Sequence, residues 1–268
     1  MTDDLKHSFG FQEVDTNERR ARIRALFDAI ASRYDLMNDL MSFGIHRLWK
    51  RTLAGMIAQG GSGGLIIDLA GGTGDVARLL ARRPGNGKVV VVDASVEMMK
   101  AGRKAHPRCS GALAWVAAEG ERLPFGDDAV DVLTIAFGLR NMSDPDAALR
   151  EALRVLKPGG RFYCLEFSRP QWWLKPFYDL YSFLVIPRLG AMVAGEPSAY
   201  RYLIESIRRF PGQKALTDKM RYAGFSDVRW RNLSFGIAAI HHARKAKALP
   251  RHLGAEERAA VQGMEGVA

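Results

Sequence analysis

Cysteine is nearly missing from this chain of 268 residues: only Cys109 and Cys164 occur, both in apolar settings. Two cysteines build no disulfide framework, and without a C-x-x-C pair the sequence points to a reducing, cytoplasmic compartment. Histidine is sparse, as His7, His46, His106, His241, His242 and His252. None stands at metal-ligand spacing from cysteine or carboxylate partners and H-E-x-x-H is lacking, so no metal is expected. No uncharged apolar run reaches the ~18 residues of a membrane-spanning helix. The nearest, from Trp172 to Gly190, is broken by Lys175, Pro176, Asp179, Pro187 and Arg188. The stretch MTDDLKHSFGFQEVD has no apolar core for a secretory signal and is too acidic for a transit peptide. Acid is in deficit, with 29 Asp and Glu against 39 Lys and Arg and a net charge of +10. That surplus suits contact with nucleic acid or an anionic bilayer, and suits a solvated basic surface equally.

What the chain does have is 47% hydrophobic and 25% charged residues, enough to bury a large core. A single domain is expected over residues 1–245, with a helical cap over 17–58, a helical insert over 170–210 and a mobile tail over 246–268. NERRARIRALFD (17–28) reads as a basic amphipathic helix with Ile23, Leu26, Phe27 and Ile30 on one face. A turn at Ser42-Phe43-Gly44 and a second helix follow, then the connector AQGGSGG.

The most informative segment is LIIDLAGGTGD, residues 65–75. An apolar strand ends in an acid and breaks into Gly71, Gly72 and Gly74 around Thr73, and the helical pattern VARLLARR follows at once. Glycine brings backbone N–H groups close to a ligand, and the helix start adds more of them. This is a strand–loop–helix nucleotide site. Asp93 ends the next strand, KVVVVD, at the distance expected for a ribose contact. The loop fits NAD and S-adenosylmethionine alike. Asp75 in the first helical turn favours the latter, because a cationic cofactor tolerates an acid there better than a pyrophosphate does.

Strand and helix then alternate: strands at 65–70, 88–93, 113–117, 130–137 and 161–167, helices at 74–83, 95–105 and 146–155, with KPGG ending the last helix. Buried apolar strands alternating with helices define a doubly wound, mostly parallel α/β sheet. The insert from Pro170 puts six aromatics, Trp172, Trp173, Phe177, Tyr178, Tyr181 and Phe183, into twelve positions. A helix over 212–223 and two strands across 225–244 close the pattern as an antiparallel hairpin.

The segments FGFQEV, RYDLMNDLMSFGIHRLWK, DLAGGTGD, TIAFGLRN, LKPGGRF-x-C-LEFS, YDLYSF-x-x-x-P and NLSFGIAAIH occur in that order. Together they resemble the ubiquinone/menaquinone biosynthesis C-methyltransferase family, within the class I S-adenosylmethionine-dependent methyltransferases, over about Phe9 to His241. The resemblance implies a Rossmann-like, seven-stranded sheet, S-adenosylmethionine as cofactor, and carbon methylation of a polyprenylated quinol: demethylmenaquinol, 2-polyprenyl-6-methoxy-1,4-benzoquinol, or both. It departs from the family at Ala136, where a serine is common before FGLRN, and at Ala118-Glu119-Gly120-Glu121, where Asp or Asn is usual.

The implied cofactor-binding residues are Asp68, accepting from the ammonium group; Gly71, Gly72, Thr73 and Gly74, around the methionine portion; Asp93, on the ribose; Glu119 and Gly120, near adenine, with Glu121 an alternative; and Ala136. Met98 or Met99 packs on adenine or in the core. For the substrate, Arg140 is assigned to phenolate stabilisation or else to a salt bridge with Asp144 or Asp146, Asn141 to orienting the ring hydroxyl, and Tyr34 to the reacting face or the core. The aromatic insert supplies a slot for the tail, a membrane-facing edge, a core or a dimer contact. Basic residues in 19–24 and Arg201, Arg208 and Arg209 are candidates to rest on anionic lipid, peripherally on the inner face of a bacterial membrane. Competing readings are an NAD-dependent oxidoreductase, which lacks a Tyr-x-x-x-Lys pair, an RNA methyltransferase, which lacks an RNA-binding module, and a cofactor-binding scaffold in a quinone-biosynthesis assembly. No nucleic-acid partner is expected, and a homodimer or enzyme complex is compatible with the sequence.

Overall fold

The computed structural model describes residues 5–31, 34–61, 63–83, 85, 87–107, 113–174 and 197–247. Cys109, the aromatics Phe177, Tyr178, Tyr181 and Phe183, and the tail over 248–268 lie outside the described residues. A short hairpin, β1 (Ser8–Phe9) and β2 (Gln12–Glu13), precedes three helices, α1 (Thr16–Ile30), α2 (Tyr34–Ser42) and α3 (Ile45–Gln59). Asp15 starts α1 by accepting from the N–H groups of Asn17 and Glu18, two donors the helix cannot satisfy itself. The turn between α2 and α3 places Phe43 and Gly44 at positive φ, 49° and 72°.

Strands β3 (Leu65–Leu69), β4 (Lys88–Asp93), β5 (Leu113–Ala117) and β6 (Val130–Ala136) alternate with α4 (Asp75–Ala81), α5 (Val96–Ala105) and, after β6, α6 (Pro145–Val155). Then come β7 (Leu156–Phe167), α7 (Pro197–Arg209), α8 (Gln213–Tyr222), β8 (Ser226–Leu233) and β9 (Ala238–Arg244). The seven-stranded sheet has the order β5-β4-β3-β6-β7-β9-β8. All pairs are parallel except β7–β9 and β9–β8, the closing hairpin. One core cluster joins Ile67, Leu133, Ile135 and Phe162 to α6 and α8; the other joins Ile66, Val91 and Val132 to Leu53 and Ile57 of α3 and to α4. Strands covered on both faces are why these segments read as continuous Val/Ile/Leu runs.

KPGG does not end the helix as expected. It lies inside β7, where the register against β6 jumps from Val130↔Leu156 to Val132↔Arg161. Gly159, at φ +78°, and Gly160 exchange hydrogen bonds with Lys245 beyond β9, each 2.9 Å. The turn is a bulge held by a strand remote in sequence.

Candidate functional site

From β3 the chain winds outward through β4 and β5, then returns to β6 on the other side, so the switch point falls between β3 and β6. Ligands bind at the carboxyl ends of strands there. The residues just beyond those two strands, Ala70 and Phe137, both have positive φ, 50° and 59°. Neither is glycine, and such strain is costly unless the surroundings hold it. The two turns are tightly opposed: a Cβ on Gly138 would stand 2.5 Å from the Cβ of Ala70.

One cavity opens at this point. It brings together six of the residues singled out in the sequence, Gly72, Asp93, Glu119, Gly120, Asn141 and Tyr34, with Met98 among the neighbours. Helix α1 closes it with Arg20, Ile23, Arg24 and Phe27. Arg24 forms an ion pair with Glu119, while Glu121 accepts at 2.9 Å from the N–H of Asp144, so the two acids do different work. Tyr34 lies 6.0 Å from Phe27, ring to ring.

The glycine loop turns back on itself, Gly74 N–H donating to Gly71 O at 2.8 Å. Asp93 is half-buried at the cavity wall and grips both the loop and the next helix, accepting from Gly72 N–H and Ser95 N–H, each at 2.8 Å. Each carboxylate oxygen has a second lone pair for a further donor. Burial, with Asp28 and Glu119 nearby, raises the Asp93 carboxyl to about 6. Ser95 in turn caps α5 and donates to Asp28 of α1 at 2.5 Å. Helix α5 approaches so closely that a Cβ on Gly102 would meet Thr73 O at 2.2 Å.

Asp68 sits beneath the loop. Its Oδ2 accepts from Ala77 N–H at 2.9 Å, and its Oδ1 is buried with no hydrogen-bond partner. Burial drives this carboxyl up to about 7. A buried acceptor left unmatched is costly, and an ammonium donor is what this oxygen lacks. The residues present fit an adenosine cofactor bearing an amino acid: an orphan acid, Asp68, beneath the glycine loop, and Asp93 and Glu119 on the cavity wall. Asp68, Gly71, Thr73, Gly74 and Ala136 do not line the cavity themselves; Ala136 pairs with Leu165 in the sheet. Asp75 faces away from the cavity, toward Lys50 at 2.9 Å and Arg78. Its position therefore gives no discrimination between NAD and S-adenosylmethionine, contrary to the sequence expectation.

Arg140 also departs from expectation. It is buried, and its Nη1 donates to Glu166 at 2.8 Å and to Phe137 O at 2.7 Å, not to Asp144 or Asp146. Asp144 caps α6 through Ala147 N–H, and Asp146 pairs with Lys219. The guanidinium lies 5.3 Å over the Phe167 ring and 5.9 Å from the Phe137 ring centroid, outside the cavity lining. A buried arginine requires a partner, and Glu166 is the carboxylate that β7 brings beside it. Burial pushes the Glu166 carboxyl up despite that neighbour. Asn141 reaches the cavity and is held from behind: its Nδ2 donates to Phe137 O at 3.2 Å, and its Oδ1 accepts from Tyr202 at 3.1 Å. Tyr202 stacks on Phe9, centroids 4.5 Å apart. Arg19, expected on a lipid-facing surface, is instead buried and donates to the carbonyls of Ser8, Arg140 and Met142. Sequence reasoning missed Glu166, Tyr202 and Arg19 as supports of the site; only Glu166 left a signal, as an acid within the apolar run YCLEF.

The sheet order and the cavity at its switch point define a class I methyltransferase. Two solved structures share the fold. A methyltransferase in complex with the Trm112 methyltransferase activator of Haloferax volcanii matches with a TM-score of 0.61 at 19% identity, over 85% of this chain and 100% of that one. A SAM-dependent methyltransferase of Thermotoga maritima matches at 0.59 and 20%, over 83% and 99%. The chain belongs to the ubiE/COQ5 methyltransferase family, whose model matches residues 14–245. It is 57% identical, over 91% of its length and 95% of the relative's, to the ubiquinone/menaquinone biosynthesis C-methyltransferase UbiE of Rubrivivax gelatinosus. As a member of that family it is an enzyme that takes its methyl group from S-adenosylmethionine.

Proposed function

We propose that the enzyme methylates a ring carbon of a polyprenylated quinol, demethylmenaquinol, 2-polyprenyl-6-methoxy-1,4-benzoquinol or both, in quinone biosynthesis. The observation that carries this reading is the convergence, in one cavity, of the cofactor-side residues Gly72, Asp93 and Glu119 with Asn141 and Tyr34. It joins the family membership and the relatives' activity.

S-adenosylmethionine supplies an activated methyl on a sulfonium, so the chain has to bind it, present the ring carbon in line, and favour the phenolate. Asp68 holds the ammonium group, the loop Gly71–Gly74 with Thr73 cradles the methionine portion, Asp93 takes the ribose hydroxyls, and Glu119 with Gly120 borders adenine. Asn141 orients the ring hydroxyl, fixed by its two hydrogen bonds to Phe137 O and Tyr202. Tyr34 packs against the ring at the α2 side. Arg140 supports phenolate formation from behind the wall: it shares the Phe137 carbonyl with Asn141, and its charge lies on the far side of Phe137. It is a positioning residue that fixes the Phe137 carbonyl on which Asn141 is held.

A quinol with a long tail partitions into the bilayer, and among the described residues no helix is long and apolar enough to cross a membrane. The enzyme therefore meets its substrate at a membrane surface. Trp172 and Trp173, both exposed, support that contact. Quinone profiling of a strain lacking this protein tests the reading: a ring-demethylated quinone should accumulate, and an unchanged quinone profile would overturn it.

A further inference from the structure

A second recess, of about 240 Å³, lies between α3 and α4 and shares no residue with the cofactor cavity. Five cationic side chains line it, Arg47, Lys50 and Arg51 from α3, Arg78 from α4 and Arg82 just past its end, against one lining carboxylate, Asp75. Lys50 and Arg78 are almost buried, and both converge on Asp75. Burial alone would raise the Asp75 carboxyl, yet it is held below the usual range by the charge and hydrogen bond of Lys50, then by Arg78. Asp39 takes Arg47. Among the described residues, Asp75 and Asp39 are two carboxylates set against these five cationic side chains. Burial, and after it the Lys50 charge, depresses the His46 imidazole on the recess wall to about 4. Low-dielectric walls focus such a field, and arginine forks match phosphate oxygens in pairs.

Beside these cations, the turn before α3 and the first turn of α3 expose apolar side chains. Phe43 is 72% exposed, Leu48 61% and Ile45 43%. Trp49, on the same helix, donates to Ser234 at 2.9 Å and so ties α3 to the loop that carries Phe235. Phe235 is itself exposed and meets Trp173 edge to face, with centroids 5.2 Å apart. Cations beside an exposed apolar ridge at the start of α3 are the arrangement of an interfacial surface, with charge at the headgroups and apolar side chains at the acyl boundary.

We infer that the α3–α4 recess binds the phosphate of an anionic phospholipid headgroup, with Phe43, Ile45 and Leu48 entering the acyl boundary beside it. This deepens the surface contact in the functional reading above and gives it a location. The recess also lies behind the glycine loop, since Arg78 donates to Thr73 O at 2.5 Å.

The test uses the full chain and sedimentation with vesicles of phosphatidylcholine, with and without phosphatidylglycerol, at fixed ionic strength. The double variant R51E/R82E should lose binding to the anionic vesicles by about 10-fold or more, as expected when two headgroup-level cations are reversed. The pair R150E/R221E, on α6 and α8, makes the same change in net charge and should keep binding within about 2-fold. F43S/L48S should weaken vesicle binding and leave calorimetric binding of inorganic phosphate unchanged. Equal losses from the two arginine pairs would overturn the site in favour of diffuse attraction. Saturation by inorganic phosphate, with vesicles bound equally by wild type and R51E/R82E, would assign the recess to a free anion and overturn the lipid assignment. Thermal melting and methylation of a tail-truncated quinol, both expected unchanged in these variants, separate folding from binding. Loss of quinol methylation by wild-type protein that still binds vesicles would count against the functional reading alone.

Discussion

Acidity should weaken cofactor binding, and Asp68 sets the size of the effect. In the free protein this carboxyl is raised to about 7 by burial, and its Oδ1 has no partner. A cationic ammonium group at that oxygen favours the ionised form and pulls the pKa back toward the ordinary range, so binding releases a proton below pH 7. Affinity then scales with the ionised fraction of the free protein, which is about half at pH 7 and about one in a hundred at pH 5. The dissociation constant should rise about 50-fold between those values, or about 2.3 kcal/mol. Asp93, raised to about 6, adds up to about a further 10-fold over the same interval. Calorimetric titration with S-adenosylmethionine from pH 5 to 7 measures the slope, and Asp68→Asn should remove the larger part of it. A constant that stays flat to within about 3-fold in wild type, or an Asp68→Asn variant that retains the full slope, would refute the assignment of Asp68 to the ammonium group.

The same group acts with the opposite sign on the cofactor-free fold. A folded-state pKa above the unfolded one stabilises below about pH 4, and that stability is lost as pH rises through about 7; Asp68→Asn should therefore stabilise the free chain at pH 8 by on the order of 2–4 kcal/mol, read from thermal melts. Asp93→Ala removes a charge-assisted contact and should weaken cofactor binding by about 2–3 kcal/mol in calorimetry, with retention of wild-type affinity counting against a ribose role. Arg140→Lys keeps the charge but loses the planar guanidinium whose Nη1 donates to both Glu166 and Phe137 O; turnover should fall while cofactor affinity stays within about 2-fold, and unaltered turnover would leave Arg140 a purely structural pair. Tyr202→Phe frees Asn141 on one side and should lower turnover about 10-fold without moving cofactor affinity, an equal loss in both showing that Tyr202 supports the whole loop instead.

What was legible in the sequence is what short-range chemistry encodes. The strand–glycine loop–helix unit, the Ser95 cap and the closing hairpin are local patterns, and the structure has them within a few residues of where the periodicity puts them. KPGG misled because its hydrogen bonds come from Lys245, which no local pattern links to it. Arg140 misled similarly. Two acids lay close by in sequence, yet the partner is Glu166, which becomes adjacent only once β7 is laid beside β6. Charge counting could not sort the basic run of α1: Arg19 is buried under the site, Arg20 and Arg24 line it, and Arg22 pairs with Glu18 on the surface. Asp75 shows the limit of reading a helix start without its neighbours, because Lys50 comes from a helix that precedes the sheet.

The central claim, carbon methylation of a quinol ring, is tested most directly by incubating the purified enzyme with isotopically labelled S-adenosylmethionine and chemically reduced demethylmenaquinol or 2-polyprenyl-6-methoxy-1,4-benzoquinol, then locating the label by mass spectrometry and NMR. The account predicts one labelled methyl group on a ring carbon and both hydroxyls free. Label on a ring oxygen, or none on either quinol from an enzyme that binds the cofactor, would contradict it.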